Sequence, residues 1–420
     1  MSLGRRDFAA LAVTGAAAAV APRAFAAATS ADAPAAAAER IAPAQPIGRD
    51  ERNARLARVQ AELKRRNLSA LLVEAGSTLI YFTGVHWWRS ERMTAAVIPA
   101  EGPVLIVTPF FEEPSIRETL DVPGDVRVWQ EDESPHRLVA DWLRERGLDR
   151  GTLAVEETTR FFIVDGIRNL LPGLKTVSGA PVVNALRMIK TPAEIALMQR
   201  ATDIVIAAYR ATYPQVQKGM TGDDIGAIMA RETMKRGGRT GGGGAQIGPG
   251  SALPHGSKER LTLEESMVVL MDCGCTVDGY HADVSRTFVF GEPTREQRRV
   301  WDHVRDGQTV AMDAARIGAT AGSVDDAVRA YYEKLGYGPR YALPGLSHRT
   351  GHGIGLDVHE PVNLVHGETT PLAAGMCFSN EPGLYLPGKF GIRLEDCFYM
   401  TASGPRYFSE PPKSIDKPFG

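Results

Sequence analysis

Two hydrophobic periods alternate along the chain from Arg49 onward. Leu56, Val59 and Leu63 recur at helical spacing, which predicts a helix over 49–66. Short apolar runs at 70–73, 95–98 and 104–107 read as strands, the last two split by the turn Glu101-Gly102-Pro103. A helix is predicted over 138–146, closed by Gly147, and another strand over 153–155. Helices alternating with short strands describe a small α/β domain over 49–185. A second domain, 190–420, opens at Thr191-Pro192-Ala193-Glu194, where proline takes the first helical position. Its pattern predicts helices over 193–213 and 222–237, then strands running through Pro254-His255-Gly256 and a hairpin over 267–290. Helices over 294–316 and 323–335 follow, then extended segments over 343–359, 375–384 and 392–400. Two helices followed by strands, twice over, is a duplication of architecture without a residue-level repeat. The chain is therefore expected to be α+β, each half of the second domain aiming polar residues from its strands at a shared middle.

The hairpin MVVLMDCGCTVDGYHADVSRTFVF interrupts an apolar run with Asp272 and Asp283. Asp278-Gly279 between apolar runs is a two-residue turn signature. With that turn Val277 faces Tyr280, Asp272 faces Ser285, and Asp283 shares their face. A loop one residue longer would send one aspartate to the other face. Two carboxylates on one buried face repel each other unless a positive group lies between them. A divalent cation supplies one; Arg286 or the turn amides are the alternative.

Composition narrows the possibilities. At 420 residues the chain can build two domains, each with its own core. A net charge of −2 with no basic run argues against nucleic acid as a partner. Cys273, Cys275, Cys377 and Cys397 are too few for a disulfide scaffold, and the spacing of the first two is not that of a zinc ribbon. All four fall in predicted strands and are expected to be buried thiols. No apolar run after residue 26 is long enough to span a membrane. Residues 1–26 place Arg5-Arg6 before the apolar run Ala9–Ala21 and end on Ala24-Phe25-Ala26, a small-x-small cleavage site. They resemble a twin-arginine signal peptide, which implies cleavage after Ala26 and a periplasmic or secreted protein. Residues 27–48 form an Ala/Pro-rich linker without apolar period.

The second half adds further ligand types. His352 sits among glycines in Thr350-Gly351-His352-Gly353, and His359 follows in Val358-His359-Glu360-Pro361. Glu381 ends a strand in Asn380-Glu381-Pro382-Gly383, and Glu395 lies in Gly391-Ile392-Arg393-Leu394-Glu395-Asp396. A hairpin centred near Gly388 sets Glu381 opposite Glu395. Two hairpins then offer two carboxylates each and one histidine joins them. That set suits an oxygen-rich dinuclear site for manganese, cobalt, iron or zinc and is too hard for a structural zinc finger.

The order Asp272, Asp283, His352, Glu381, Glu395 resembles the five-ligand pattern of the pita-bread (M24) metallopeptidases, in their Xaa-Pro aminopeptidase and prolidase branch. GYHADVSRTF, GHGIGLDVHE, NEPGLY and GIRLED carry the likeness over 250–400, and the layout of 49–185 is similar to a creatinase-type N-terminal domain. The resemblance implies a C-terminal pita-bread domain behind that smaller domain and two divalent ions, manganese first among them. Asp283 and Glu395 would bridge the ions, Asp272 would complete one, and His352 and Glu381 the other. It also implies hydrolysis before proline in short peptides through a metal-bridging hydroxide, as an Xaa-Pro aminopeptidase or Xaa-Pro dipeptidase. His255 and His359 match substrate-side histidines, Arg393 an arginine that holds ligand carboxylates, and Glu381 a proton carrier. His348, four positions before His352, is a further candidate. The adjacent tryptophans of His86-Trp87-Trp88-Arg89 read as an interface or as loop packing, and the family habit implies a homodimer.

Other chemistries lack their motifs. There is no G-x-S-x-G elbow and no H-E-x-x-H, and the glycine run Gly241–Gly244 lacks the Lys-Ser/Thr of a phosphate loop. That run is expected to be a flexible active-site loop. The remaining alternatives are a dimethylsulfoniopropionate lyase-like enzyme on the same metal fold and a non-catalytic binding homologue.

Overall fold

The computed structural model describes residues 44–419. The expected export signal and most of the linker after it lie outside them. The N-terminal part runs α1 (Arg49–Arg65), β1 (Ala70–Glu74), α2 (Ser77–Thr83), β2 (Ala95–Pro99), β3 (Val104–Pro109), α3 (Glu113–Thr119) and β4 (Gly124–Trp129). It continues through α4 (Pro135–Glu145), β5 (Thr152–Val155), α5 (Phe161–Leu170), β6 (Lys175–Ser178) and α6 (Ala180–Arg187). Its sheet has the order β4-β3-β2-β1-β5-β6. β1, β2 and β3 are buried along their whole length, which is why they show in the sequence as continuous apolar runs. Side-chain alternation splits them between two cores. Ala70, Leu72, Ala95, Val97, Leu105 and Val107 pack with Val139 and Trp142 of α4 and Ile163 and Ile167 of α5. Leu71, Val73, Ala96, Ile98, Val104 and Ile106 pack with α1, α2 and α6.

The C-terminal part begins with α7 (Pro192–Thr212), α8 (Gly222–Lys235), β7 (Arg239–Ile247), β8 (Met267–Val277) and β9 (Tyr280–Phe290). Then come α9 (Arg295–Ala314), α10 (Ala321–Lys334), β10 (Gly351–Gly353), β11 (Glu360–Leu364), β12 (Cys377–Asn380), β13 (Gly383–Leu386), β14 (Phe390–Arg393), β15 (Asp396–Thr401) and β16 (Gly404–Tyr407). Thr191 and Glu194 close a capping box that starts α7, and Thr221 with Asp224 and Thr294 with Gln297 do the same for α8 and α9. β7-β8-β9 pack on α7 and α8, and β11-β10-β12-β15-β16 pack on α9 and α10. Two helices followed by strands do occur twice. All four cysteines are free and buried, and no described helix is long and apolar enough to cross a membrane.

Three expectations are corrected. Pro254-His255-Gly256 is a turn after the 3-10 segment Gly248–Ala252: Gly256 has φ +82° and its N–H returns to the Leu253 carbonyl at 2.9 Å. Within 343–359 only Gly351–Gly353 is strand, because the Thr350 N–H and hydroxyl turn to Asp325 Oδ1 at 3.1 and 2.7 Å. Gly241–Gly244 lies in β7, paired to β8 around a bulge between Thr240 and Gly243, and is not a free loop. A Cβ at Gly243 would stand 2.1 Å from the Asp272 carbonyl, so glycine permits this close pairing.

The two parts share a core. Leu197, Met198, Tyr280, Ile354 and Leu356 join the cluster that holds Leu71 and Val73. Through it runs a buried polar network: Arg55 stacks over Tyr81 at 4.1 Å and reaches Glu51 at 2.7 Å, the Tyr280 hydroxyl at 3.2 Å and Glu194 at 3.5 Å. Tyr280 donates to Glu194 at 2.8 Å. The paired charges keep Arg55 tolerable in the interior and fasten α1 to the turn end of the β8–β9 hairpin.

Candidate metal centre

The β8–β9 turn has φ +47° at Asp278 and +85° at Gly279, positive at both central residues as a type I′ turn requires. Val277 faces Tyr280, Asp272 faces Ser285 and Gly274 faces Asp283, the register expected from the sequence. The second hairpin turns at Gly388, φ +74°. Its pairs run from Leu386 and Phe390 to Gly383 and Arg393, and the same register resumes at Asn380 and Asp396. Glu381 and Glu395 therefore occupy opposed positions between the two ladders. Neither bonds its backbone N–H to the other: Glu381 donates to the Thr350 carbonyl at 2.9 Å and Glu395 to the Ser285 carbonyl at 3.0 Å. Those bonds draw the β10 loop and β9 into one place.

Asp283, His352 and Glu395 each bring a ligand atom within 4.8 Å of the others'. Glu381 Oε1 lies 3.3 Å from His352 Nε2, and Asp283 Oδ2 lies 3.9 Å from it. Asp272 joins through Ser285, whose hydroxyl oxygen is 3.1 Å from Asp272 Oδ1 and 2.7 Å from Glu395 Oε2. Arg286, the alternative partner for the aspartates, turns away and donates to Asp396 Oδ1 at 2.6 Å and the Glu395 carbonyl at 2.8 Å.

The electrostatics are those of a cation site. Burial first, then neighbouring carboxylates, hold Asp283 and Glu395 well above the usual carboxylate range. Burial pushes Glu381 up to about 7 against the pull of Arg393. Burial, then the charge of His359, pushes His352 down to about 3, so its ring is neutral. Its Nδ1–H donates to the Gly353 carbonyl at 3.0 Å, which leaves the Nε2 lone pair facing Glu381 and Asp283. Glu395 Oε1 is buried without a hydrogen-bond partner. An orphaned carboxylate oxygen and an aimed imidazole among repelling carboxylates fit a divalent ion bound by oxygen and nitrogen.

Arg393 organises the rim. It donates to Asp272 Oδ2 at 2.6 Å, Ser285 Oγ at 3.0 Å, the Tyr385 hydroxyl at 3.1 Å and the Pro254 carbonyl at 3.2 Å. The last bond fixes the turn that carries His255, an exposed residue beside the site. His359 is exposed and meets the His352 ring edge-on at 4.3 Å. His348 donates from Nδ1 to the Arg349 carbonyl at 2.7 Å and accepts at Nε2 from Tyr385 at 2.8 Å; burial pushes it down to about 3. Its ring thus supports Tyr385, and through it Arg393. Tyr385 and Ser285 were not singled out as site residues from the sequence. NEPGLY contains Tyr385, and Ser285 shares the face of both aspartates, so a signal was present for each. Asp325, which holds Thr350, and the Arg286–Asp396 pair gave none.

A cavity of about 570 Å³ between the two parts is lined by Ser77, Arg89, His281, Asp357 and His359 among others. His281 lies on the face of Asp283, two positions before it. Of the tryptophan pair, Trp87 and Trp88 stack at 4.7 Å; Trp88 is 67% exposed and Trp87 packs on the shared core.

Comparison with known proteins places this geometry. Residues 196–402 match metallopeptidase family M24, and residues 55–189 match the creatinase/prolidase N-terminal domain. The Xaa-Pro dipeptidase of Lactobacillus helveticus is 32% identical over 86% of this chain and 98% of its own. The crystal structure of dipeptidase PepE from Mycobacterium ulcerans superposes with a TM-score of 0.81 at 31% identity, covering 88% of this chain and 98% of that one. The prolidase of Thermococcus sibiricus gives a TM-score of 0.79 at 27% identity over 85% and 96%. With a creatinase-type domain in front of a pita-bread domain, and with relatives of this similarity along nearly their whole length, the chain belongs to metallopeptidase family M24 and is a peptidase.

Proposed function

We propose that this peptidase cleaves the bond before proline in short peptides that carry a free amino group on the preceding residue. The carrying observation is the convergence of Asp283, Glu381 and Glu395 on the neutral His352, with Asp272 joined through Ser285 and Glu395 Oε1 left unpartnered. The relatives' names, Xaa-Pro dipeptidase and prolidase, support the substrate class. The five residues would hold two divalent ions, manganese first among the candidates. Bound there, the ions supply an acidified water as nucleophile and polarise the scissile carbonyl. The protein does the rest. Glu381, beside the His352 ring, accepts the water's proton at a carboxylate oxygen and passes it to the leaving nitrogen. That nitrogen, being proline's, has no N–H, so the pocket must select by shape and not by a donor. His255 and His359 stand at the open side, where a tetrahedral intermediate would project. Arg393 holds Asp272 at Oδ2 so that the carboxylate does not swing.

Metal-loaded mature protein should hydrolyse Xaa-Pro or Xaa-Pro-Yaa peptides and leave long folded proteins intact. His255→Ala should lower kcat more than it raises KM, since contact with the tetrahedral state acts mainly at the transition state. Acrylate release from dimethylsulfoniopropionate, with both peptide classes untouched, would replace this reading with the lyase one.

Two further proposals concern the molecule's setting. Arg5-Arg6 and the Ala24-Phe25-Ala26 site support export by the twin-arginine route to the periplasm or beyond. The exposed Trp88 supports a homodimer. Native mass spectrometry of exported protein should return a dimer of chains beginning at Ala27; a full-length N-terminus would sink the first idea and a strict monomer the second.

A further inference from the structure

His359 meets the His352 ring edge-on at 4.3 Å, and no hydrogen bond holds its own ring among the described residues. Its place therefore follows from the bend 355–359 that carries it. One tie of that bend lies within the C-terminal part: the His281 N–H donates to the Gly355 carbonyl at 2.9 Å. Glu360, the next residue after His359, is buried and pairs with Lys190 at 2.9 Å and with Arg187. A Cβ at Gly355 would stand 2.9 Å from both Glu360 carboxylate oxygens, so glycine lets the bend close over this pair. Asp357, two positions before His359, ties the same bend to the N-terminal part. Its Oδ1 accepts from the Ser77 hydroxyl at the start of α2, and its Oδ2 accepts from Arg187, at the end of α6, at 2.9 Å. Arg187 in turn donates to the Thr78 hydroxyl at 2.9 Å. Ser77, Thr78 and Asp357 share with His359 the wall of the 570 Å³ cavity between the two parts.

Two features separate Asp357 from an ion pair that serves the fold. Its side chain is 48% exposed, and pairs so open to water add little to stability. Arg187 also keeps Glu360 as a partner without it, so no buried charge depends on Asp357. What Asp357 does fix is the backbone on which an exposed imidazole is mounted beside the reacting groups. Resting on the proline-peptidase reading, in which His359 meets the tetrahedral intermediate, we propose that Asp357 is a positioning residue for His359. Paired with Ser77 and Arg187, it sets the histidine against the metal centre and makes that setting depend on how the N-terminal part is seated.

The test is a double-mutant cycle on metal-loaded protein, with Leu-Pro or Leu-Pro-Gly as substrate, whichever wild type cleaves faster. Asp357→Ala should lower kcat by about 10–100-fold, the scale on which misplacing a group near the chemistry is felt, and should move KM less. Asp357→Asn keeps a side-chain oxygen as acceptor and should recover most of that loss. Ser77→Ala should reproduce part of it from the N-terminal side. In a His359→Ala background Asp357→Ala should cost about twofold or less, because the group it positions is gone. Metal content and unfolding temperature should stay at the wild-type values in Asp357→Ala. Histidine-selective NMR of the zinc-loaded protein adds a readout apart from turnover: the His359 ring signal, identified by its loss in His359→Ala, should shift in Asp357→Ala. Losses that add in full across the cycle, an unmoved ring signal, or a fall in metal content that accounts for the lost turnover would each overturn the proposal while the peptidase reading stands. If wild type leaves both peptides intact, the peptidase reading itself fails and takes this proposal with it.

Discussion

Asp283→Ala should abolish peptidase activity and metal binding together. Asp283 stands inside the site, with Oδ2 3.9 Å from His352 Nε2 and its side chain in the cluster with Glu395. Residues that merely support metal ligands change affinity or activity by about 10–100-fold. A carboxylate proposed to bridge two ions should exceed that, since its removal strips a ligand from both. The metal-free protein should respond differently. There Asp283 is crowded by burial and by the charges of Asp272 and Glu381, so deleting it relieves repulsion and should not lower the unfolding temperature. Wild type should gain thermal stability on adding manganese, and the variant should gain none. Metal analysis that returns two ions per chain in Asp283→Ala would remove it from its assigned role. A loss of stability in the metal-free variant would mean that the aspartate serves the fold.

What the sequence made legible was local. Asp278-Gly279 between apolar runs specified a turn, the turn specified a register, and the register placed Asp272 and Asp283 on one face. Gly388 did the same for Glu381 and Glu395. The glycine run in β7 misled because a strand interior rarely takes several glycines. Here β7 must approach the Asp272 backbone closely, and that need outweighs propensity. The Pro254–Gly256 turn misled for the opposite reason: its flanks read as strand, while its shape is set by a distant bond from Arg393 to the Pro254 carbonyl. The chain from His348 through Tyr385 and Arg393 to Asp272 is equally non-local, and hydrophobic periodicity carries no trace of it. The short helices α2 and α6, which help cover the sheet, also left too few turns of pattern to read.

The Arg286–Asp396 pair gave no sequence signal, yet its loss should have the largest effect on stability. Both side chains are fully buried, and their 2.6 Å bond ties β9 to β15 directly behind Ser285 and Glu395. Arg286 also donates to the Glu395 carbonyl at 2.8 Å, while Asp396 accepts from Ser409 at 2.5 Å and from Gln308 at 3.2 Å. Arg286 Nε already lacks a partner, so the arginine has no second carboxylate to turn to. Asp396→Ala would leave a guanidinium charge in the core without its counterion, which costs about 3–5 kcal/mol. Asp396→Asn keeps the shape and one acceptor and should cost less. The double change Arg286→Met with Asp396→Leu removes both charges and should recover most of the loss, because desolvating the pair offsets much of its attraction. Denaturant unfolding of the metal-free proteins separates these effects from metal binding. A midpoint for Asp396→Ala close to that of wild type would show that water or a shifted side chain reaches Arg286. If the double variant proves no more stable than Asp396→Ala, the missing counterion is not the cause, and the hydrogen bonds from Ser409 and Gln308 are.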